Sequence, residues 1–295
     1  MTKLSSNKAT QPVSGEFIDH AGERFYAIKN VDKLAPFFTS IVSNCDHWLF
    51  VSSTGGLTAG RVSPETALFP YVTVDKIHDS ALHTGSKTLL RVGEVGNQSN
   101  WEPFNKEHDG RYNISRHLYK NLVGNKLRFE EVNHDLKLVY SYTWQTSSSF
   151  GFVRQCELKN LSDQPVSIAL LDGLQNILPA NTPREAQTTS SNLVDAYKWT
   201  ELDEPTGTGL FTLYSGITDR AEPCESLKAN TVFCLGLDGK QVLLSSDQLG
   251  NFRCGESLQQ EVHKRGIRGA YLINQEFGLA PQSSEQWQFV ANVEQ

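Results

Sequence analysis

From Phe17 onward, apolar side chains recur at every second position rather than every third or fourth. Leu136, Leu138, Tyr140, Tyr142 and Trp144 share one phase, with Lys137, Ser141 and Thr143 in the other, which predicts a long half-buried antiparallel strand. Lys126 to Val132 precedes it across the turn Asn133-His134-Asp135, so the two segments predict a hairpin. Phe152 to Leu158 and Val166 to Leu171, flanking the Asn160–Pro165 turn, predict a second. Thr231 to Leu235 and Val242 to Leu244, around Asp238-Gly239, predict a third, and Trp287 to Val293 reads as the closing strand. One helix stands out: Thr182-Pro183-Arg184-Glu185 has the form of a capping box, and the Ser- and Thr-rich positions 188–191 weaken its middle. Strands with turn signals between them and few helical stretches predict an all-β class, a sandwich or barrel.

At 295 residues the chain fits one large all-β domain, and roughly 75% of the unfolded surface can be buried at that size. Residues 1–14 are polar and read as a flexible tail, leaving 15–295 as a single domain. The net charge of −6 brings no general attraction to polyanions, and His263-Lys264-Arg265 with Arg268 is too short a basic cluster for nucleic acid. No window approaches the roughly 20 apolar residues of a membrane helix, and the first residues lack the apolar core of a secretory signal. Five scattered cysteines without a C-x-x-C pair, and dispersed histidines, predict reduced thiols in a cytoplasmic protein with no metal and no cofactor.

Ser53 to Gly60 lacks the G-K-[ST] ending of a phosphate loop and reads as a strand-to-turn connection, its paired glycines allowing positive φ or close backbone approach. No G-x-S-x-G elbow occurs. Asp75, Asp79, Glu94, Glu102 and Asp172 are the carboxylates to weigh for sugar chemistry, although spacing alone pairs none of them. For Asp172 the favoured role is to accept from nearby turn amides. Trp101-Glu102, following a polar loop, and Arg61, following the glycine turn, are the candidate sugar-binding residues: an aromatic face for C–H surface and charged groups for hydroxyls. Against this, Trp101 also reads as a core plug beneath a loop, and Arg61 as an ion-pair partner.

Several stretches together resemble the N-terminal domain of cellobiose and cellodextrin phosphorylases and their large relatives. They are Phe38 to Gly56, Arg61, Leu68-Phe-Pro-Tyr71, Trp101-Glu-Pro-Phe104, the long strands through Trp144, and Phe152 to Pro165. The resemblance spans residues 25–295 and rests on diffuse pattern. It implies a large two-sheet antiparallel supersandwich, galactose mutarotase-like, followed in the family by an (α/α)6 barrel that carries the catalytic acid and the phosphate-binding residues. On that reading no catalytic residue lies in this chain, which is expected to be an excised domain. Its partners would be the barrel, an oligosaccharide or sugar phosphate, and a second copy in a homodimer. Two other classes stay open. A mutarotase-type epimerase would draw a base and an acid from His117 or His134 with Glu102 or Glu157. A free-standing carbohydrate-binding module would expose an aromatic stripe, whereas Tyr140, Tyr142 and Trp144 read as core.

Overall fold

The computed structural model describes residues 12–215 and 228–294. The chain is an all-β sandwich. One layer is a continuous eleven-stranded sheet. Its strands run, side by side, Ser14–His20, Glu23–Lys29, Ile114–Asn121, Lys126–Asn133, Leu138–Ser147, Gly151–Asn160, Ser284–Asn292, Asn230–Leu235, Thr208–Leu213, Lys198–Asp203 and His263–Arg265. Facing it are a five-stranded sheet (Gln241–Leu243, Gly269–Leu279, Val166–Ile177, Gly85–Val92, Ser99–Trp101) and a four-stranded one (Phe38–Ile41, His47–Ser52, Leu57–Arg61, Ala67–Phe69). The second layer is therefore in two pieces, tied where Leu178 N donates to Leu68 O at 2.9 Å. Every strand pairing is antiparallel.

The alternation works as expected at the centre of the long sheet. Tyr140, Tyr142 and Trp144 are buried and pack with Phe152, Phe289 and Trp287 against Leu90, Leu170 and Ile273 of the opposing layer. The Lys126–Asn133 hairpin forms, with Phe129 opposite Tyr142 and their rings stacked at 4.9 Å. The second and third expected hairpins do not. Gly151–Asn160 pairs with Leu138–Ser147 and Ser284–Asn292, while Val166–Ile177 pairs with strands of the five-stranded sheet. Likewise Asn230–Leu235 lies in the long sheet and Gln241–Leu243 in the other. Both turns carry the chain from one layer to the other. The expected closing strand, Ser284–Asn292, is central, inserted between Gly151–Asn160 and Asn230–Leu235.

The helix breaks as expected, into Arg184–Thr189 and Ser191–Tyr197, but the capping box does not close. Thr182 Oγ1 donates to Pro179 O, and the Arg184 amide is instead satisfied by Glu65 Oε2 at 2.8 Å. In the His47–Ser52 to Leu57–Arg61 hairpin, Gly55 takes φ +91°, and a Cβ on Gly56 would stand 1.9 Å from Ile77 O. Positive φ and close approach each claim one of the two glycines. Of the expected flexible tail, residues 1–11 lie outside the described residues, and Ser14 already opens a strand. Among the described residues, no helix is long and apolar enough to cross a membrane.

Candidate functional site

The sequence-expected sugar contacts do not converge. Trp101 is fully buried, its indole N–H donating to Glu131 Oε1 at 2.7 Å, so neither ring face can receive a sugar. Core packing is its role. Glu131 also accepts from Arg116 Nε and the Phe104 amide, both at 2.7 Å. Glu102 is buried between Lys87 (3.2 Å) and Arg253 (2.5 Å) beside a cavity of about 50 Å³. Burial alone would raise its pKa, but the Arg253 and Lys87 contacts outweigh this and hold it down at about 2. Arg61 grips both oxygens of Asp46 at 3.1 and 2.9 Å. Asp75, Asp79 and Glu94 are exposed. Asp172 is fully buried in mid-strand and accepts from side chains rather than turn amides: Arg154, Thr88, Tyr140 and Trp287.

A different set of residues does converge. The phase of the alternation that faces away from the core lines up across four neighbouring strands. Arg128 sits opposite Thr143, Thr143 opposite Gln155, and Gln155 opposite Gln288. One step along, Glu130 faces Ser141, Ser141 faces Glu157, and Glu157 faces Gln286. Strands about 4.8 Å apart make each row roughly 14 Å long. These rows floor a groove of about 520 Å³, walled at one end by His20 and Glu23 of the Ser14–Lys29 hairpin and at the other by Leu235.

The groove is polar and internally paired. Arg128 contacts Glu130 at 3.2 Å, Glu157 at 3.4 Å and His20 Nε2 at 3.2 Å. Gln286 donates to Glu157 Oε1 at 3.1 Å, and Tyr119 O–H to Glu130 Oε1 at 2.6 Å. Burial would raise the Glu157 pKa, but the Gln286 amide and Arg128 draw it below the usual carboxylate value. Desolvation and then Arg128 lower His20. Near neutral pH the groove therefore presents a carboxylate, a neutral imidazole and a guanidinium. Gln155 and Gln286 project as exposed carboxamides.

Of the histidines considered for acid–base work, His134 is exposed and bonded to Ser115, and His117 accepts from the Asn30 amide at 3.1 Å. Neither lines the groove; His20 does. The signal for the groove residues was present in the sequence as the polar phase of the strands, but Gln155 and Gln288 become neighbours only through strand order. A second cluster also escaped the sequence reading. Cys45, Asp46 and His47 bring one ligand-capable atom each within 4.8 Å of one another, in a C-x-H spacing rather than C-x-x-C.

No family model matches this chain, and no curated protein matches it. Among solved structures, a protein of Synechocystis sp. PCC 6803 is similar at 11% identity and a TM-score of 0.47, over 88% of this chain and 96% of that one. A polysaccharide lyase is similar at 10% identity and a TM-score of 0.43, over 88% of this chain and 32% of that one. A bacterial glucoamylase complexed with acarbose follows at 8% identity and a TM-score of 0.39, over 85% of this chain and 30% of that one. The chain thus spans about a third of the lyase. Likenesses this distant carry no function across.

Proposed function

We propose that residues 15–295 are a non-catalytic carbohydrate-binding domain of a larger carbohydrate-active protein, and that the groove on the open face of the long sheet is where it holds sugar. The observation that carries this reading is the double row of carboxamide, hydroxyl and charged side chains across four strands. A sugar hydroxyl both donates and accepts; carboxamides offer both functions in one rigid group, and carboxylates accept more strongly. A row of roughly 14 Å fits a short oligosaccharide better than a single ring. The resemblance to glycoside phosphorylases supports a setting beside an (α/α)6 catalytic barrel, with homodimerisation as a further contact.

One observation bears on the epimerase alternative. His20 and Glu157 share the groove, as a mutarotase-type reaction would require of its acid and base. With both pKa values lowered, the two stand as bases at neutral pH, and the protonated groups beside them are the cations Arg128 and Lys126 rather than a carboxylic acid or an imidazolium. Binding without turnover is the better-supported reading.

Calorimetric titration with a panel of short neutral oligosaccharides, cellodextrins first, tests it. Gln155→Ala and Gln288→Ala should each weaken binding about tenfold, roughly 1.4 kcal/mol, and Arg61→Ala should not change it. Absence of binding across the panel, or binding indifferent to both glutamines, overturns the assignment. Faster mutarotation of fresh α-glucose in polarimetry would instead establish the epimerase.

A further inference from the structure

Cys45-Asp46-His47 ends the loop that leads into the His47–Ser52 strand. Its side chains bring a thiol, a carboxylate and an imidazole together. Cys45 Sγ lies 2.9 Å from His47 Nδ1, and Asp46 Oδ1 lies 3.8 Å from the same nitrogen. Each is held from outside. Arg61 Nε and a terminal guanidinium nitrogen fix the two Asp46 oxygens, at 3.1 and 2.9 Å. Ser43 Oγ sits 3.1 Å from the Cys45 sulfur and accepts from Thr146 Oγ1 at 3.1 Å. The His47 ring is buried and lies edge-on to Phe152, centroids 5.0 Å apart. Outer contacts of this kind orient metal ligands and tune them.

From this geometry we infer that Cys45, Asp46 and His47 form a binding site for a divalent cation of the Zn²⁺ type. The mixed sulfur, nitrogen and oxygen set suits zinc and disfavours Mg²⁺ or Ca²⁺, which take oxygen ligands. Zn–S near 2.3 Å and Zn–N near 2.0–2.1 Å put sulfur and nitrogen about 3.5 Å apart in a tetrahedral site. The 2.9 Å gap must therefore open by about 0.6 Å, a small rotation for a half-exposed cysteine on a loop. On binding, the thiol proton leaves to solvent and the sulfur binds as thiolate. Asp46 keeps Arg61 on one side, since a carboxylate has lone pairs for both partners. Three protein ligands leave the fourth position open to water or to a ligand from outside the chain.

Titration with Co²⁺, followed by competition with Zn²⁺, tests the site on the whole chain. A thiolate-to-cobalt charge-transfer band should appear in the near ultraviolet and disappear as Zn²⁺ is added. Cys45→Ser should abolish the band, Cys254→Ser should leave it unchanged, and Arg61→Gln should weaken Zn²⁺ about tenfold through its hold on Asp46. Metal-free thermal melts establish that each variant is folded, and Asp46→Asn, at an exposed position, gives a second reading if Cys45→Ser is not. No thiolate band in the wild type, or a band that persists in Cys45→Ser, overturns the site. The result is independent of whether the groove binds sugar.

Discussion

The Gly151–Asn160 strand carries two arginine–carboxylate networks, one on each face of the long sheet, and they differ in almost every physical respect. On the inner face, Arg154 and Asp172 are both 0% exposed and join opposite layers of the sandwich at 3.0 Å. Tyr140 O–H, Thr88 Oγ1 and the Trp287 indole N–H, at 2.6 Å from Asp172 Oδ2, complete the shell, with the guanidinium stacked over Tyr142 at 4.8 Å. On the outer face, Glu157 pairs with Arg128 at 3.4 Å, the two side chains 24% and 15% exposed. The inner network has no water to fall back on, and all its polar groups but Arg154 Nε find partners within it, which constrains its geometry tightly. The outer one can exchange partners with solvent, and so with a ligand. Alternation thus assigns one strand two duties: holding the layers in register inside, and offering hydrogen bonds outside.

The sharpest test of that difference is to break one partner on each side. Asp172→Asn leaves the Arg154 charge buried and uncompensated and should cost about 3–5 kcal/mol in urea unfolding. Replacing both, Arg154→Met with Asp172→Leu, should recover much of that loss, because the penalty lies in the orphaned charge more than in the missing attraction. A single Asp172→Asn variant within 1 kcal/mol of wild type would mean that water reaches the inner pair, and the contrast between faces would fail.

How far such a contrast can be read from sequence is visible in the same residues. Period two in Leu136 to Trp144 identified the core phase, and the polar phase beside it was equally legible. What alternation does not encode is the sheet to which a strand belongs. The Asn160–Pro165 and Asp238-Gly239 turns look like hairpin turns, yet each delivers the chain to the other layer, where Val166–Ile177 and Gln241–Leu243 find partners distant in sequence. Asp172 within an apolar run was a visible anomaly, but its explanation needs Arg154 from the opposite layer. Trp101 left two readings open for a related reason: it follows a polar loop, which suggested a sugar contact, but its position at the end of Ser99–Trp101, opposite Leu90, makes it the core plug that the sequence also offered. The groove was illegible as a site because its rows join residues distant in sequence, such as the paired Gln155 and Gln288, 133 positions apart.

Glu102 lies between the two extremes, and pH tests it. Its side chain is 6% exposed, while Arg253, one of its two cations, is 42% exposed. A carboxylate held at about 2 against an ordinary 4.5 stabilises the fold above pH 4.5. That contribution is lost as pH falls from 4.5 toward 2, when Glu102 takes up a proton in the folded state as well. Wild type should therefore exceed Glu102→Gln by on the order of 3 kcal/mol at neutral pH, an upper figure because solvent screens Arg253. The gap should close progressively below pH 4.5. A gap that stays constant with pH would place the effect of the substitution in packing rather than charge.

The smallest expected effect on stability is the most informative about function. Glu157→Gln removes the charge facing Arg128 but keeps the shape and one acceptor for the Gln286 amide. Arg128 retains Glu130 at 3.2 Å, so no cation is stranded. Partly exposed pairs of this kind are worth about 0–1 kcal/mol, and the urea midpoint should barely move. If the outer network exists to meet sugar hydroxyls, the same substitution should weaken oligosaccharide binding well beyond its effect on folding, since a carboxylate accepts more strongly than an amide oxygen. Equal and small losses in both measurements would reduce the outer face to a solvated surface. A stability loss as large as that of Asp172→Asn would show that the two faces of the strand do the same work after all.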